Sequence, residues 1–320
     1  MVGLYRALEG HFYTIAPNLV HRVRPGSAPA ASDWSATLSA SEARADHPVR
    51  LSGRLCERPS SDTLVLIVHG LGGALDSGYC VRAARVLEAY GFSTLRLALR
   101  GADRRGEDIY HAGLIDDLHA AFASPELSRY RKLCVLGYSL GGHVSLHAAI
   151  ARRDPRLCAV AAVCAPLHLD RAAQAIDSAS RWVYRRHVLS GLIEIYTEVA
   201  KRHAVPTPLA RVQQVKTIRE WDTLTVVPRF GFASVDDYYA RMSAGPRLHG
   251  LSCPTLLLPS RYDPMVPPGT FEDLLAGASS QLEVRWVERG GHVGYPGRVA
   301  LAGEDADSLE QHVARWFSRF

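Results

Sequence analysis

Short apolar runs recur along most of the chain, and stretches with apolar residues at helical spacing lie between several of them. Runs of about four to eight residues that are rich in valine, leucine and isoleucine are typical of buried β-strands. The predicted strands are Val49–Cys56, Leu64–Val68, Ser93–Leu99, Leu133–Leu136, Leu157–Cys164, Thr255–Leu258 and Leu282–Val287. The predicted helices are Val81–Tyr90, His143–Ala151 and Asp305–Phe317. This alternation indicates an α/β fold with a mostly parallel sheet and helices on both faces.

A long segment interrupts the alternation. The strand that ends near Ala165 and the strand that starts at Thr255 are separated by roughly 90 residues, whereas connections in α/β folds usually have about 2–6. Two stretches within it, Arg171–Val188 and Leu192–His203, have the spacing of helices, and aromatic residues follow them. We therefore predict a helical cap inserted into one large domain. Such a cap either gates a site or only covers it.

Changes in composition predict the domain boundaries. The segment Pro25–Ser35 is rich in small and turn-forming residues and separates an N-terminal arm from the rest of the chain. The predicted arm covers residues 1–35, the core covers residues 36–170 and 251–320, and the cap covers residues 171–250. A length of 320 residues alone would also fit two average domains.

Composition excludes several classes of protein. Hydrophobic residues make up 47% of the chain, which excludes a disordered chain, a collagen-like repeat and a small disulfide scaffold. The net charge is +5, but the basic residues are scattered arginines with three lysines, so nucleic acid is not an expected partner. No C-x-x-C pair occurs among the six cysteines. His143 and His147 lack the glutamate of the zinc motif H-E-x-x-H, so no metal is predicted.

The sequence shows neither a leader nor a membrane segment. The N-terminus lacks a basic region followed by an apolar one. The longest largely apolar stretch, Leu157–Leu169, is too short for a bilayer core of about 30 Å. We therefore expect a cytoplasmic protein without a transmembrane segment. Peripheral lipid contact through the arm stays open, as does the oligomeric state.

Residues 137–141, with the sequence GYSLG, match the G-x-S-x-G pattern of a nucleophile elbow. They follow a predicted strand directly and precede the helical run at His143, which is the context that this turn requires. A serine hydroxyl needs a base within hydrogen-bond reach before it can attack. Ser139 is the predicted nucleophile.

Two further loops supply a candidate base and a candidate acid. Among the 14 histidines, His292 lies in the glycine-rich loop after the last predicted strand and is the predicted general base. Asp263 follows a strand at the carboxyl edge of the predicted sheet, where open α/β sheets place functional groups, and is the predicted acid. Asp170 and the two aspartates at 236–237 are its competitors. The acid orients the imidazole and stabilises its charged form.

Acyl transfer also requires donors for the oxyanion that develops in the transition state. The backbone N–H of Leu140, directly after the nucleophile, is one predicted donor. The N–H of Leu71 is the other, because residues 69–73 (HGLGG) form a glycine-rich loop directly after a predicted strand. His69 is expected to brace this loop rather than to transfer a proton.

Taken together, these motifs resemble those of the α/β-hydrolase superfamily and, within it, the YheT-like hydrolases. The resemblance covers nearly the whole chain and includes the order nucleophile, acid, base along the sequence. The segments that carry it are residues 10–17, 69–73, 99–101, 109–113, 137–142, 217–222, 231–232, 237–239 and 290–292. Residues 261–264 read RYDP where relatives often have two adjacent acids, but Asp263 before the proline is retained.

The resemblance implies an α/β-hydrolase fold and hydrolysis of small-molecule carboxylic esters, often with medium or longer acyl chains, without a cofactor. For this chain we predict esters with short to medium acyl chains or lipids. Aromatic residues that fit an apolar acyl site are Tyr138, Trp221, Phe230 and Phe232. Transfer of the acyl group to an alcohol at the same site is a second hypothesis, because the sequence does not show whether water reaches the acyl-enzyme. A non-catalytic ligand-binding protein on the same fold is a third.

Overall fold

The computed structural model describes residues 2–23, 27–301, 304–306 and 308–320. Its centre is an eight-stranded sheet in the order β1-β2-β4-β3-β5-β6-β7-β8. These strands are β1 (Ser32–Leu38), β2 (Val49–Cys56), β3 (Thr63–Val68), β4 (Ser93–Ala98), β5 (Lys132–Tyr138), β6 (Leu157–Val163), β7 (Thr255–Leu258) and β8 (Leu282–Val284). Strand β2 is antiparallel to both of its neighbours, whereas β4, β3, β5, β6, β7 and β8 run parallel. The predicted, mostly parallel sheet is confirmed.

Helices cover both faces of the sheet, as predicted. Outside the insertion these are α1 (Val2–Val23), α2 (Ala40–Ala43), α3 (Gly78–Ala89), α4 (Asp116–Ala123), α5 (Leu140–Ala151) and α12 (Leu309–Phe317). In β3, Leu64, Leu66 and Val68 pack in the core that contains α4 and α5, whereas Val65 and Ile67 pack in the core that contains α3 and α12. Burial on both faces explains why the strands read as continuous apolar runs. No helix in the described ranges is long and apolar enough to cross a membrane.

The N-terminal arm contains a helix and a strand that the sequence patterns did not predict. Strand β1 pairs along its whole length with residues 49–55 of β2, and its Trp34 and Leu38 side chains are buried. The predicted boundary at residue 35 therefore falls inside β1 and is corrected. Pro25 and Gly26, which belong to the predicted turn segment, lie outside the described residues.

At the other end of the chain, a short hairpin precedes the last helix. It consists of β9 (Val299–Leu301) and β10 (Glu304–Ala306). Asp305 lies in β10, so the C-terminal helix begins later than predicted. It starts at Leu309 because the Ser308 hydroxyl caps it and accepts a hydrogen bond from the Gln311 N–H at 3.2 Å.

A helical insertion lies between β6 and β7, as predicted. It contains α6 (Leu169–Asp177), α7 (Trp182–Arg202), α8 (Leu209–Val212), α9 (Ile218–Leu224), α10 (Val226–Phe230) and α11 (Val235–Met242). Helix α7 continues through residues 189–191, where the pattern predicted a break, and the break falls at 178–181 instead. At Gly191, α7 packs so closely on the loop after β3 that a Cβ would lie 2.6 Å from the Gly72 carbonyl oxygen. The insertion therefore contacts that loop directly.

A buried ion-pair network joins the insertion to the core. The Arg100 guanidinium donates to Asp117 at 2.7 Å and contacts Asp108 at 3.3 Å. Asp108 in turn accepts two hydrogen bonds from Arg229 of α10, at 2.8 and 2.6 Å. Because every charge in this network faces an opposite one, the desolvation that burial imposes is offset.

The two histidines of α5 form a second connection between core and insertion. The His143 and His147 rings lie 2.7 and 2.8 Å from the Met242 carbonyl oxygen at the end of α11. Burial lowers the pKa of both imidazoles, that of His147 to about 3. They are neutral packing groups, which agrees with the absence of the zinc motif.

Candidate active site

The ends of four neighbouring parallel strands, β3, β5, β6 and β7, lie side by side at one edge of the sheet. Val68 of β3 lies opposite Gly137 of β5, and Gly137 lies opposite Ala162 of β6. Val163 lies opposite Leu258 at the end of β7. Because these strand ends are in register, the loops beyond them are brought together, as is usual for ligand sites in open α/β sheets.

Ser139 occupies the sharp turn between β5 and α5. It has φ 53° and ψ −120°, a conformation that non-glycine residues rarely adopt and that costs about 1–3 kcal/mol. Glycine is required beside it, because a Cβ at Gly137 would lie 2.2 Å from the Gly141 carbonyl oxygen. The turn presents the Ser139 hydroxyl at the edge where the loops meet.

The structure brings Ser139, His292 and Asp263 together in one hydrogen-bonded series. Ser139 Oγ lies 2.7 Å from His292 Nε2, and His292 Nδ1 lies 2.7 Å from Asp263 Oδ2. A carboxylate only accepts, so Nδ1 donates to it and Nε2 is left to accept the serine proton. The other carboxylate oxygen accepts the N–H groups of Met265 and Val266 at 2.8 and 2.9 Å. Asp263 is thereby fixed, and it fixes the orientation of the imidazole.

The competing aspartates lie elsewhere. Asp170 and Asp236 both pair with Arg219 of the insertion, and Asp237 pairs with Arg241. None of the three is hydrogen-bonded to His292 among the described contacts. The geometry therefore favours Asp263.

A buried thiol lies beside this series. Ligand atoms of Cys164, Asp263 and His292 are all within 4.8 Å of one another. Burial raises the pKa of the Cys164 thiol well above its ordinary value, and the negative charge of Asp263 is the second largest cause. The thiolate that a metal would need is disfavoured, and both oxygens of Asp263 already accept hydrogen bonds. The residues fit a proton-transfer series better than a metal site.

The two residues that were predicted to donate to the oxyanion, Leu71 and Leu140, lie beside Ser139. Leu140 is the first residue of α5, where the helix offers no acceptor for its N–H. In the loop after β3, the Gly70 and Gly72 N–H groups donate to the hydroxyls of Tyr79 and Tyr110 at 3.0 and 2.8 Å. The N–H of Leu71 lies between them in the chain, and among the described contacts it has no acceptor. Leu71 and Leu140 both line the cavity that contains Ser139, so an oxyanion hole there stays our prediction.

His69 braces the glycine-rich loop at residues 69–73, as expected. Its Nδ1 lies 2.8 Å from the Gly70 carbonyl oxygen, and its Nε2 accepts the Leu99 N–H at 3.2 Å. Burial lowers the pKa of the imidazole to about 4. It is therefore neutral near pH 7 and holds the loop by one donated and one accepted hydrogen bond.

A cavity of about 190 Å³ opens in front of Ser139. Its wall combines the elbow and the His69 loop with side chains of the insertion. The apolar side chains of the insertion on this wall are Leu169, Ala172, Ala173, Ile176, Val188, Ile218, Trp221 and Val226. Trp221 therefore lies where a substrate-binding residue is needed.

The other three predicted substrate-binding residues are not brought to this cavity. Tyr138 is fully buried below the elbow, with its ring 4.8 Å from that of Tyr79. Phe230 and Phe232 line a different cavity and pack against the other side of His111. The prediction is corrected here: Tyr138 points away because the strand alternates its side chains, and the half-buried rings of Phe230 at the end of α10 and of Phe232 just after it line the second cavity instead.

Sequence reasoning missed one polar pair on the cavity wall. The Tyr239 hydroxyl donates to the Asp222 carboxylate at 2.7 Å, and both residues line the cavity. Burial raises the pKa of Asp222 to about 7. Asp222 belongs to the segment at 217–222 that the resemblance singled out, which was the available signal.

Helix α1 supports the histidine loop, which sequence reasoning also missed. The Thr14 hydroxyl accepts the backbone N–H of His292 at 2.9 Å and donates to the Gly10 carbonyl oxygen at 2.8 Å. A Cβ at Gly291 would lie 2.3 Å from Thr14 Oγ1. The glycine before the histidine is thus required for this close contact, and Thr14 fixes the backbone of His292.

Comparison with known proteins agrees with this architecture. A family model described as serine aminopeptidase, S33, matches residues 59–293, which is most of the chain. The chain belongs to this family. It is an α/β-hydrolase enzyme, as the resemblance implied.

Two bacterial relatives of this S33 family member carry the name “Putative esterase”. YheT of Escherichia coli K12 is 28% identical over 269 residues, which cover 80% of this chain and 76% of the relative. The relative slr0264 of Synechocystis is 31% identical over 193 residues, which cover 53% of this chain and 52% of the relative. Among solved structures, the Pyrococcus furiosus esterase Pf2001 aligns with a TM-score of 0.57 at 14% identity, over 91% of this chain and 93% of that one. That likeness shows a shared fold. The comparisons do not favour acyl transfer or a non-catalytic role.

Proposed function

We propose that this S33 family member hydrolyses carboxylic esters with short to medium acyl chains through an acyl-enzyme at Ser139. The observation that carries the proposal is the hydrogen-bonded series Ser139, His292 and Asp263 beside a largely apolar cavity. The names of the two bacterial relatives support an ester as substrate.

Acylation follows from the positions of these groups. Ser139 Oγ attacks the ester carbonyl carbon while its proton passes to His292 Nε2, and the Asp263 carboxylate stabilises the imidazolium. The N–H groups of Leu71 and Leu140 donate to the oxyanion, each donor contributing about 10²–10³ in rate. When the tetrahedral intermediate collapses, the alkoxide leaves with the proton from His292. The acyl group remains bound to Ser139 as an ester.

Deacylation uses the same groups in reverse. A water molecule gives a proton to His292 Nε2 and attacks the acyl carbonyl carbon. The bond between that carbon and Ser139 Oγ then breaks, the serine recovers its proton from His292, and the carboxylic acid is released. Neither step requires a cofactor.

The cavity wall favours an uncharged substrate. Among the described residues that line it, Asp222 is the sole acid, and burial raises its pKa to about 7. An aminopeptidase must hold the ammonium group of its substrate, and a buried ammonium needs a charged partner. The Asp222 carboxyl already accepts a hydrogen bond from the Tyr239 hydroxyl, and the rest of the wall is largely apolar, so we infer esters rather than peptides.

The test is a kinetic series with p-nitrophenyl esters from acetate to decanoate. Wild type should hydrolyse the shorter members, and Ser139→Ala should lower the rate by about 10⁴-fold or more. Ser190→Ala, which removes an exposed hydroxyl of α7, is the matched control and should keep the full rate. Undiminished hydrolysis by Ser139→Ala, or faster cleavage of amino-acid p-nitroanilides than of esters, would overturn the proposal.

A further inference from the structure

One face of the molecule collects almost all of its exposed large hydrophobic side chains. Among the described residues these are Tyr5, Leu8, Phe12 and Ile15 of α1, Trp182 and Val183 of α7, and, elsewhere, Tyr90. The first six are called the apolar face from here on. Phe12 is 62% exposed and Trp182 is 54% exposed. Large apolar groups gathered in this way mark an interaction surface, whereas single ones do not.

The two parts of the apolar face adjoin each other. Residues 5, 8, 12 and 15 recur at intervals of three and four, so their side chains form one stripe along α1. Helix α7 is joined to this helix by His11 and Tyr184, whose side chains lie 2.5 Å apart and whose rings stack. Trp182 and Val183 directly precede Tyr184, so the exposed apolar side chains of α7 begin beside the point where α7 contacts α1.

The apolar face also borders the candidate active site. The inner side of α1 holds the histidine loop through the contact of Thr14 with the His292 N–H. In α7, Val188 lies about one turn after Tyr184 and lines the cavity. The same two helices thus carry the apolar face on their outer side and contact the catalytic groups on their inner side.

The charges around the apolar face are mostly positive. Glu9 is the sole acid in α1, and it is paired with Arg6 and Arg289. Residues 181–187 contain three arginines and no acid. Arg181 donates to backbone carbonyl oxygens and to the Ser178 hydroxyl, Arg185 donates to backbone carbonyl oxygens near the acid Asp177, and Arg186 is exposed. The rim therefore complements an anionic surface.

We propose that the apolar face docks this enzyme onto the surface of an anionic lipid bilayer. Aromatic and leucine side chains would enter the interface, and the arginines would contact lipid phosphates. A second copy of this chain is a poorer partner, because it would bring a second set of these arginines to the contact and add no acid beyond the already paired Glu9. The docking proposal depends only on the apolar face and the charges around it. The further step, in which a lipid ester passes from the bilayer to the cavity, depends on the proposed function.

Vesicle flotation tests the docking. The full-length wild-type protein is mixed with phosphatidylcholine vesicles that contain or lack phosphatidylglycerol. We expect wild type to float with the anionic vesicles, and to do so less at high salt or with phosphatidylcholine alone. Leu8→Gln/Phe12→Gln should lower the bound fraction about tenfold or more, because two of the largest apolar groups are lost. Tyr90→Gln, which removes an exposed aromatic ring outside the apolar face, should bind like wild type.

Each outcome decides for or against docking. Absence of wild type from the floating fraction, or equal flotation of the double variant, overturns it. If wild type is a dimer that does not float and the double variant is a monomer, the apolar face binds a second copy of this chain, and docking to a bilayer is also overturned. Unchanged hydrolysis of p-nitrophenyl acetate by the double variant shows that it is folded. Flotation of a wild type that hydrolyses no ester would contradict the proposed function and leave the docking intact.

Discussion

Asp222 is an aspartate whose carboxyl group is buried beside a tyrosine hydroxyl instead of being exposed to water. Its carboxyl group is buried in the cavity wall, and the hydroxyl of Tyr239 donates to it at 2.7 Å. Burial raises its pKa from 3.8 to about 7, against the smaller lowering effect of the Tyr239 hydrogen bond. The folded protein therefore keeps a proton that the unfolded chain releases at a much lower pH.

This difference makes the stability depend on pH. Between about pH 4 and pH 7 the native state binds more protons than the unfolded state, so the free energy of unfolding falls as pH rises through this window. Asp222→Asn cannot lose a proton and still accepts from Tyr239. We expect the variant to lose less stability than wild type between pH 5 and pH 8, by up to about 3 kcal/mol. Urea denaturation at both pH values measures this.

A control variant distinguishes the effect of a buried carboxyl group on the pH dependence of stability from the effect of losing one negative charge. Asp236→Asn removes an exposed carboxyl group of the same insertion, and its pH dependence should match that of wild type. Equal pH dependence of wild type and Asp222→Asn would show that Asp222 does not hold its proton in the folded state.

At the scale of residues, local pattern predicted some site positions and tertiary packing decided the others. The elbow at Ser139 and the loops of Asp263 and His292 each follow a strand, so their place in the sheet follows from chain order. Phe230 and Trp221 look alike in the sequence as aromatic residues of the insertion. Which of them faces the cavity depends on how α9 and α10 pack, and this is not encoded in local spacing.

At the scale of elements, helix α1 supports the loop that carries His292, the proposed general base. Its Thr14 hydroxyl is the acceptor for the buried N–H of His292, and Glu9 pairs with Arg289 in the same loop. An unpaired buried N–H costs about 1–3 kcal/mol. Without Thr14, the histidine loop would therefore shift or open to recover a partner.

Substitution of Thr14 tests this support. Thr14→Val keeps the shape of the side chain but removes the acceptor, and we expect kcat for p-nitrophenyl esters to fall about tenfold while KM changes little. Thr14→Ser restores the hydroxyl and should recover most of kcat. A Thr14→Val enzyme with the wild-type kcat, or a Thr14→Ser enzyme as slow as Thr14→Val, would show that Thr14 does not position His292.

Helix α1 and strand β1 show why the sequence pattern does not predict the elements of the N-terminal arm. In α1 the apolar stripe faces outward, and Gly10 and Pro17 interrupt the helical pattern. Strand β1 has the sequence SDWSATL, in which Trp34 and Leu38 face the core. Its strand character comes from pairing with β2, a long-range contact. By contrast, β3 and β5 are buried on both faces and are evident from composition alone.

At the scale of the whole molecule, the insertion is held to the core by buried polar groups as well as by apolar packing. Asp108 lies between Arg100 of the core and Arg229 of α10, and its side chain is 4% exposed. Removal of one partner from a buried network leaves charge without compensation. These contacts join distant parts of the chain, so the sequence did not indicate them.

A pair of arginine variants tests this connection. Arg229→Met keeps the aliphatic part of the side chain but leaves Asp108 with Arg100 alone, and we expect the free energy of unfolding to fall by about 2–4 kcal/mol. Arg241→Met removes an exposed arginine of the insertion that pairs with Asp237, and it should cost less than about 0.5 kcal/mol. Equal decreases in the free energy of unfolding of the two variants, measured by urea denaturation, would show that the network does not hold the insertion to the core.

The most direct test of the central claim is covalent labelling with a fluorophosphonate, followed by intact mass measurement and peptide mapping. The phosphonyl group should attach once per chain, to the Ser139 hydroxyl, because His292 and Asp263 activate that oxygen. Ser139→Ala should remain unlabelled, and His292→Ala should react far more slowly than wild type. Equal labelling of wild type and Ser139→Ala, or attachment at another residue, would contradict the assignment of Ser139 as the nucleophile.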